Sequence, residues 1–273
     1  MAATFVVVPQ WQGSGSSRAM RLVDGADAIR GDLPSATTRV VEIPLEAGDS
    51  QNSGVHRISS IALVRERLAS VLTEVEGPVI TIGGDCGVEL AAIEHVAGSE
   101  VAVVWLDAHP DLNTPESSPS GAFTGMVLRT LLGDGPELLV PAVPLDPAKV
   151  ILAGARAFDP GEDEYIAAHD VVTLAVDAIS GEQLVAAVEA TGAASVYVHI
   201  DLDVLDSEDI SGLGYPEPFG VRAGDLVDAL KILLARFPLA GAGITEFAPA
   251  SPTDAVDDLP TILRLVGALV SQP

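Results

Sequence analysis

Residues 101–111 read VAVVWLDAHPD, and the fold is decided by this stretch. Val101 to Trp105 is a short apolar run rich in β-branched residues, which predicts a strand buried in a parallel sheet with helices on both faces. Asp107, His109 and Asp111 follow at a spacing of two, so in extended chain their side chains project to one side beyond the strand. Open parallel sheets bind ligands beyond the carboxyl ends of their strands. The residues that follow each strand are therefore the candidates for chemistry.

Working outward, seven similar runs predict strands at Thr4 to Val8, Arg39 to Ile43, Pro78 to Ile82, Lys149 to Ala153, Asp170 to Leu174, Ser195 to Ile200 and Leu239 to Thr245. Helical spacing predicts helices at Val55 to Glu76, Val88 to Val96, Glu182 to Ala190, Ala223 to Arg236 and Leu259 to Val270. Strands alternating with helices give an α/β chain, and 273 residues suit a single domain, 1–273, around one large sheet. The longest loops rich in Pro, Ser and Gly run from Asn113 to Gly121 and from Asp206 to Gly220, where a binding site is expected.

The chain has 39 acidic and 14 basic residues, a formal net charge of -25, which argues against nucleic-acid binding. Its single cysteine, Cys86, excludes an intramolecular disulfide and fits a reducing compartment. No apolar stretch is long enough to span a bilayer, and MAATFVVVPQWQ has no basic region ahead of its apolar run. The expectation is a cytoplasmic protein with no membrane or nucleic-acid partner.

Five of the strand-end side chains demand explanation together. Asp201 and Asp203 repeat the alternation of Asp107, His109 and Asp111, and four carboxylates brought together need a compensating cation, because unpaired buried charge is very costly. A divalent metal site, with two ions, meets that demand. Gly83-Gly84-Asp85-Cys86 and Glu246 follow two further strands, and the stretch Arg156 to Glu162 follows a third.

In this order, GGDC (83–86), DAHPD (107–111), HIDLDVLD (199–206) and GITEFAP (243–249) resemble the ureohydrolase superfamily of arginases and agmatinases, across essentially the whole chain. The resemblance implies a three-layer α/β/α fold with a parallel, roughly eight-stranded sheet. It also implies a binuclear Mn2+ centre whose metal-bound hydroxide attacks a guanidino carbon, releasing urea and an amine. By position, Asp107, His109, Asp201 and Asp203 would hold one ion and Cys86, Asp107, Asp111 and Asp201 the other, with Asp107 and Asp201 as bridges. Asp111 would also pass on the hydroxide proton, Glu246 would receive the guanidinium, and Asn113, Ser120 and Asp159 would hold an α-amino-acid end. Arg156 reads as a structural ion pair and His199, deeper in its strand, as a packing residue. The resemblance suggests a homo-oligomer, a trimer or hexamer.

Three positions depart from the resembled pattern. Cys86 stands where the family carries a histidine ligand, and a thiolate favours zinc, cobalt or nickel over manganese. Thr124 stands where arginases carry a proton-shuttling histidine, and its hydroxyl cannot titrate near neutral pH. Ala122 replaces a polar residue at the carboxylate end. Agmatine and other guanidino acids stay open as substrates, as does a non-catalytic relative that keeps one metal. A one-metal deacetylase of related fold is disfavoured by the extra carboxylates Asp111, Asp201 and Asp203.

Overall fold

The computed structural model describes residues 3–98 and 100–271. Eight strands, β1 (Thr4–Val8), β2 (Thr38–Val40), β3 (Val79–Gly83), β4 (Val101–Leu106), β5 (Val150–Ala153), β6 (Val172–Leu174), β7 (Ser195–Asp201) and β8 (Leu239–Thr245), form one sheet in the order β2-β1-β3-β8-β7-β4-β5-β6. Every pairing is parallel. The four middle strands, β3, β8, β7 and β4, are those whose carboxyl ends carry the acidic motifs.

Alternation along the strands feeds core on both sides of the sheet, with a third cluster around Val6, Val8 and Leu68 beside β1. Val104, Leu106, Val198 and Ile200 face one side and pack with Ile29 of α1 (Arg21–Gly31), Leu184 of α6 (Gly181–Thr191), Leu230 of α7 (Ala223–Arg236) and Ile262 of α8 (Pro252–Val270). Val103, Trp105 and Tyr197 face the other side. There they meet Ile61 of α2 (Ile58–Leu72), Leu90 of α3 (Glu89–Val96), Leu128 of α4 (Val127–Leu131) and Tyr165 of α5 (Pro160–His169). The result is the three-layer arrangement expected from the sequence.

All eight expected strands form, with the largest shift at the edge strand β2, which ends at Val40 rather than Ile43. Helix α8 begins at Pro252, seven residues before the expected start, because Ser251 caps it by accepting from Asp254 N and Pro260 is carried inside it. Helices α1, α4 and α5 were not expected. In α1 the buried positions Leu22, Gly25, Ala26 and Ile29 do follow helical spacing, but glycine and alanine blur the apolar signal. Among the described residues no helix is long and apolar enough to cross a membrane.

Candidate metal centre

A cleft of about 350 Å³ opens at the carboxyl ends of the middle strands, lined on its floor by Cys86, His109, Asp111, Asp201, Asp203 and Glu246. They come from the carboxyl ends of four strands, β3, β4, β7 and β8, and backbone geometry aims them inward. Gly84 passes so close to β1 that a Cβ on it would lie 1.8 Å from Gln10 O, so no larger residue fits this turn. Asp85, buried beside it, accepts hydrogen bonds from Gln10 Nε2 (2.7 Å), Gly13 N (2.8 Å) and Gly87 N (2.8 Å) and thereby holds the loop that presents Cys86. Asp111 and Glu246 both have left-handed backbone, with φ of 54° and 65°, a conformation that non-glycine residues adopt uncommonly.

The contacts divide the floor into overlapping groups. His109 Nδ1 lies 2.9 Å from Asp203 Oδ2 and 3.7 Å from Asp107 Oδ1. Cys86 Sγ donates to Asp201 Oδ2 at 3.2 Å, and Cys86 N donates to Glu246 Oε1 at 3.3 Å. His199, expected to pack, does stack on Trp105 with ring centroids 3.7 Å apart, yet its Nε2 faces Asp107 Oδ2 at 3.8 Å and Cys86 Sγ at 3.9 Å. Three sets therefore each place ligand atoms within 4.8 Å of one another: Asp107, His109 and Asp203; Cys86, Asp201 and Glu246; Cys86, Asp107 and His199. Asp107 belongs to two of them, one oxygen toward each side, and Trp105 Nε1 steadies it with a 3.1 Å hydrogen bond. Asp201 accepts from Asp203 N at 2.8 Å and so ties its own set to that of Asp203.

Charge balance tests whether these residues fit a cation. Burial pushes the Asp201 carboxyl well above its ordinary range, and Asp203 and Asp107 push it further. Burial does the same to Asp111, reinforced by Asp107, and to Glu246, reinforced by Asp85 and Asp203. Burial raises Asp107 too, but hydrogen bonds with His109 and His199 outweigh it and hold that carboxyl low. His109 is pushed up to about 12, because Asp107 and Asp203 outweigh the burial that would lower it. Asp111 Oδ2 is buried with no hydrogen-bond partner among the described residues. Five buried carboxylates balanced by two imidazoles leave an anionic excess, and divalent ions fit this donor set.

The family model "Arginase family" matches residues 17–261, nine-tenths of the sequence. The chain belongs to the arginase family. The arginase of Entamoeba histolytica is 30% identical over 219 residues, covering 76% of this chain and 74% of that one. The arginase of Bacillus subtilis is 30% identical over 257 residues, with 85% and 86% covered. Among solved structures, Entamoeba histolytica arginase in complex with L-ornithine superposes with a TM-score of 0.88 at 23% identity, covering 98% of both chains.

Against the arginase-family pattern, the remaining expected residues fall on the cleft walls. Asn113 Nδ2 donates to Asp159 Oδ2 at 2.9 Å, and Asn113 Oδ1 accepts from Ser117 Oγ at 2.8 Å. Ser120 is exposed at the rim, and Thr124 and Ala122 line the wall between rim and floor. Arg156 needs a correction. Its guanidinium forms no ion pair among the described residues. It donates instead to the carbonyls of Asp203 (2.8 Å), Glu217 (2.9 Å) and Pro218 (2.8 Å), clasping the 206–220 loop to the end of β7.

Glu162 was missed as a site residue, although Asp159-Pro160-Gly161-Glu162 is a capping-box sequence that also announces α5. Glu162 Oε2 accepts from Asp159 N and Oε1 from Leu112 N, both at 2.9 Å, so one carboxylate ties the wall to the DAHPD loop. Burial raises its pKa from 4.5 to about 7. The folded state thus holds this proton more tightly than the unfolded state, and its stabilising contribution is full below pH 4.5 and lost as pH rises through about 7. Relative to Glu162→Gln, which does not titrate, the wild type should lose about 3 kcal/mol between pH 4.5 and 8. Urea denaturation of both proteins at the two pH values measures the difference; parallel behaviour would refute it.

Proposed function

We propose that the chain hydrolyses the guanidino group of an arginine-like substrate, releasing urea and an amine. Membership of the arginase family supports a metal-dependent hydrolase acting on C–N bonds of amidines. The observation that carries the reading is the placement of the Glu246 carboxylate in the same cleft floor as the acidic metal groups. A carboxylate there gives a guanidinium a planar, charge-assisted partner beside the reacting centre. The acid-lined cleft and the net charge of -25 also favour a cationic substrate.

Asp107, His109 and Asp203 would hold one ion, for which we favour manganese, and the Cys86 side of the floor the other. Such ions supply Lewis acidity and make a water nucleophilic near neutral pH. Glu246 binds and orients the guanidinium. Asp111, with its unpartnered Oδ2, takes the proton released as water adds to the guanidino carbon. That proton moves on to the leaving nitrogen as its C–N bond breaks. Thr124 can orient a water on this route but cannot itself titrate.

Asp159 provides an anion for an α-ammonium, while Asn113 and Ser120 provide neutral groups for an α-carboxylate. Among the described residues no Arg or Lys lines the cleft, and Ala122 is apolar, so the hold on a carboxylate is modest. Complex formation between the Entamoeba arginase and L-ornithine, an α-amino acid, supports the arginine-like end. Urea release should be screened over arginine, agmatine and guanidinobutyrate with manganese, cobalt and zinc. The reading expects arginine to give the highest kcat/KM. A preference for agmatine would move the substrate to one without a carboxylate, and no urea from any of them would identify a non-catalytic relative.

A further inference from the structure

Cys86 replaces the loop histidine of the family pattern, and the structure offers a second imidazole from below. We infer that His199 of β7 is the imidazole ligand of the ion beside Cys86, backed by Glu89, so that this position is built from Cys86, His199, Asp107 and Asp201. The inference rests on the metal centre proposed above and concerns which side chains make it.

The sheet register creates the arrangement. Trp105 of β4, His199 of β7 and Gly243 of β8 stand side by side across three adjacent strands. Trp105 stacks on the imidazole and fixes its plane, with 28° between the rings. Gly243 leaves the other side open: a Cβ there would fall 1.6 Å from Glu89 Oε1, so the glycine makes room for the carboxylate. Glu89 and His199 are both fully buried.

A ring held this way has two distinct ends. Nε2 points at Cys86 Sγ and Asp107 Oδ2, while Nδ1 points at Glu89 Oε1 at 3.5 Å. Among the described residues neither Nδ1 nor that Glu89 oxygen has a hydrogen-bond partner, whereas Glu89 Oε2 is anchored by Tyr197 OH at 2.6 Å. An orphan donor therefore faces an orphan acceptor, and a small approach completes the bond. Carboxylate, imidazole and metal in sequence is the usual way a ligating histidine has its tautomer and plane fixed. The ligand atoms of Cys86, Asp107 and His199 lie within 4.8 Å of one another, and Asp201 joins them through Cys86, with which it shares the neighbouring set. Cys86 Sγ is 3.2 Å from Asp201 Oδ2, and His199 Nε2 is 3.8–3.9 Å from its two neighbours. Donors bound to one ion at about 2.0–2.3 Å sit roughly 3–4 Å apart. Thr245 Oγ1, 3.2 Å from Cys86 Sγ, can donate to a thiolate.

Sulfur and imidazole together make this the softer of the two positions, selecting zinc or cobalt over manganese. The alternative is that the ring is a buried imidazolium, an internal cation between Glu89 and Asp107 with no ion beside Cys86.

Cobalt titration of the full-length protein separates the two. The expected result is two equivalents bound, one of them bringing a near-ultraviolet sulfur-to-cobalt band. X-ray absorption of the wild type at the cobalt edge should then count one sulfur and two imidazoles per two ions. His199→Asn should lose the band and one equivalent, and Glu89→Gln should weaken the same ion roughly 10- to 100-fold while sparing the other. A single imidazole in the wild-type spectrum, or an unchanged sulfur band in both variants, overturns the inference, and the wild-type measurement decides even if a variant fails to fold. Both ions bound with this signature but no urea released would sink the reaction and keep the ligand assignment. Urea released by a protein holding one ion and no sulfur band would do the reverse.

Discussion

Asp107→Ala should bind neither ion and should release urea at least about a thousandfold more slowly than the wild type, since a metal centre supplies several kcal/mol of transition-state stabilisation. Asp107 is shared by the His109–Asp203 set and the Cys86–His199 set, with one carboxylate oxygen on each side. Its removal leaves His109 and Asp203 without their shared partner and takes the acceptor from Trp105 Nε1. Asp203→Ala provides the contrast, because Asp203 lies only in the His109 set and its loss should cost one ion rather than two. Metal analysis by mass spectrometry after dialysis reads both variants. One ion retained by Asp107→Ala would show that the sets are independent and that Asp107 does not bridge.

The sheet and the acidic floor were legible in the sequence because both rest on short-range regularities. Apolar runs bounded by Gly and Pro gave all eight strands, and the acidic residues that follow β4 and β7 do meet at the floor, although tight turns rather than extended alternation aim them: residues 107–111 form no strand and Asp203 sits in the single 3-10 turn Leu202–Val204. What the sequence hid depends on strand order. That Trp105, His199 and Gly243 are neighbours follows from β4, β7 and β8 being adjacent, although they are distant along the chain. His199 read alone is an imidazole deep in a strand, and Glu89 read alone is an acidic residue in the first turn of α3. Their meeting above a glycine has no local signature. Arg156 illustrates the same limit: a guanidinium in an acidic chain suggests an ion pair, but its partners are carbonyls supplied by a loop some 60 residues away. Glu162 differs, since Asp159-Pro160-Gly161-Glu162 is a local capping-box signature, and the same acidic, Pro-Gly stretch reads equally well as a loop.

Glu246→Gln should keep both ions and lower kcat/KM for guanidino substrates by about a hundredfold or more, because truncating one partner of a buried charged pair costs about 2–5 kcal/mol. The side chain sits at the end of β8 in strained backbone, with Oε1 accepting from Cys86 N, an arrangement that fixes the carboxylate without needing a metal. Glutamine preserves the shape and one acceptor oxygen but loses the charge that recognises a guanidinium. The ligand-set geometry also permits the opposite role, since Glu246 groups with Cys86 and Asp201. The two roles separate cleanly in measurement. A guanidinium receptor gives a variant with full metal content and a large loss in kcat/KM that affects all guanidino compounds alike. A metal ligand gives a variant short of one ion, with weakened sulfur-to-cobalt absorption. Full metal content with unchanged kcat/KM would remove Glu246 from both roles, and with it the observation on which the guanidino reading most depends.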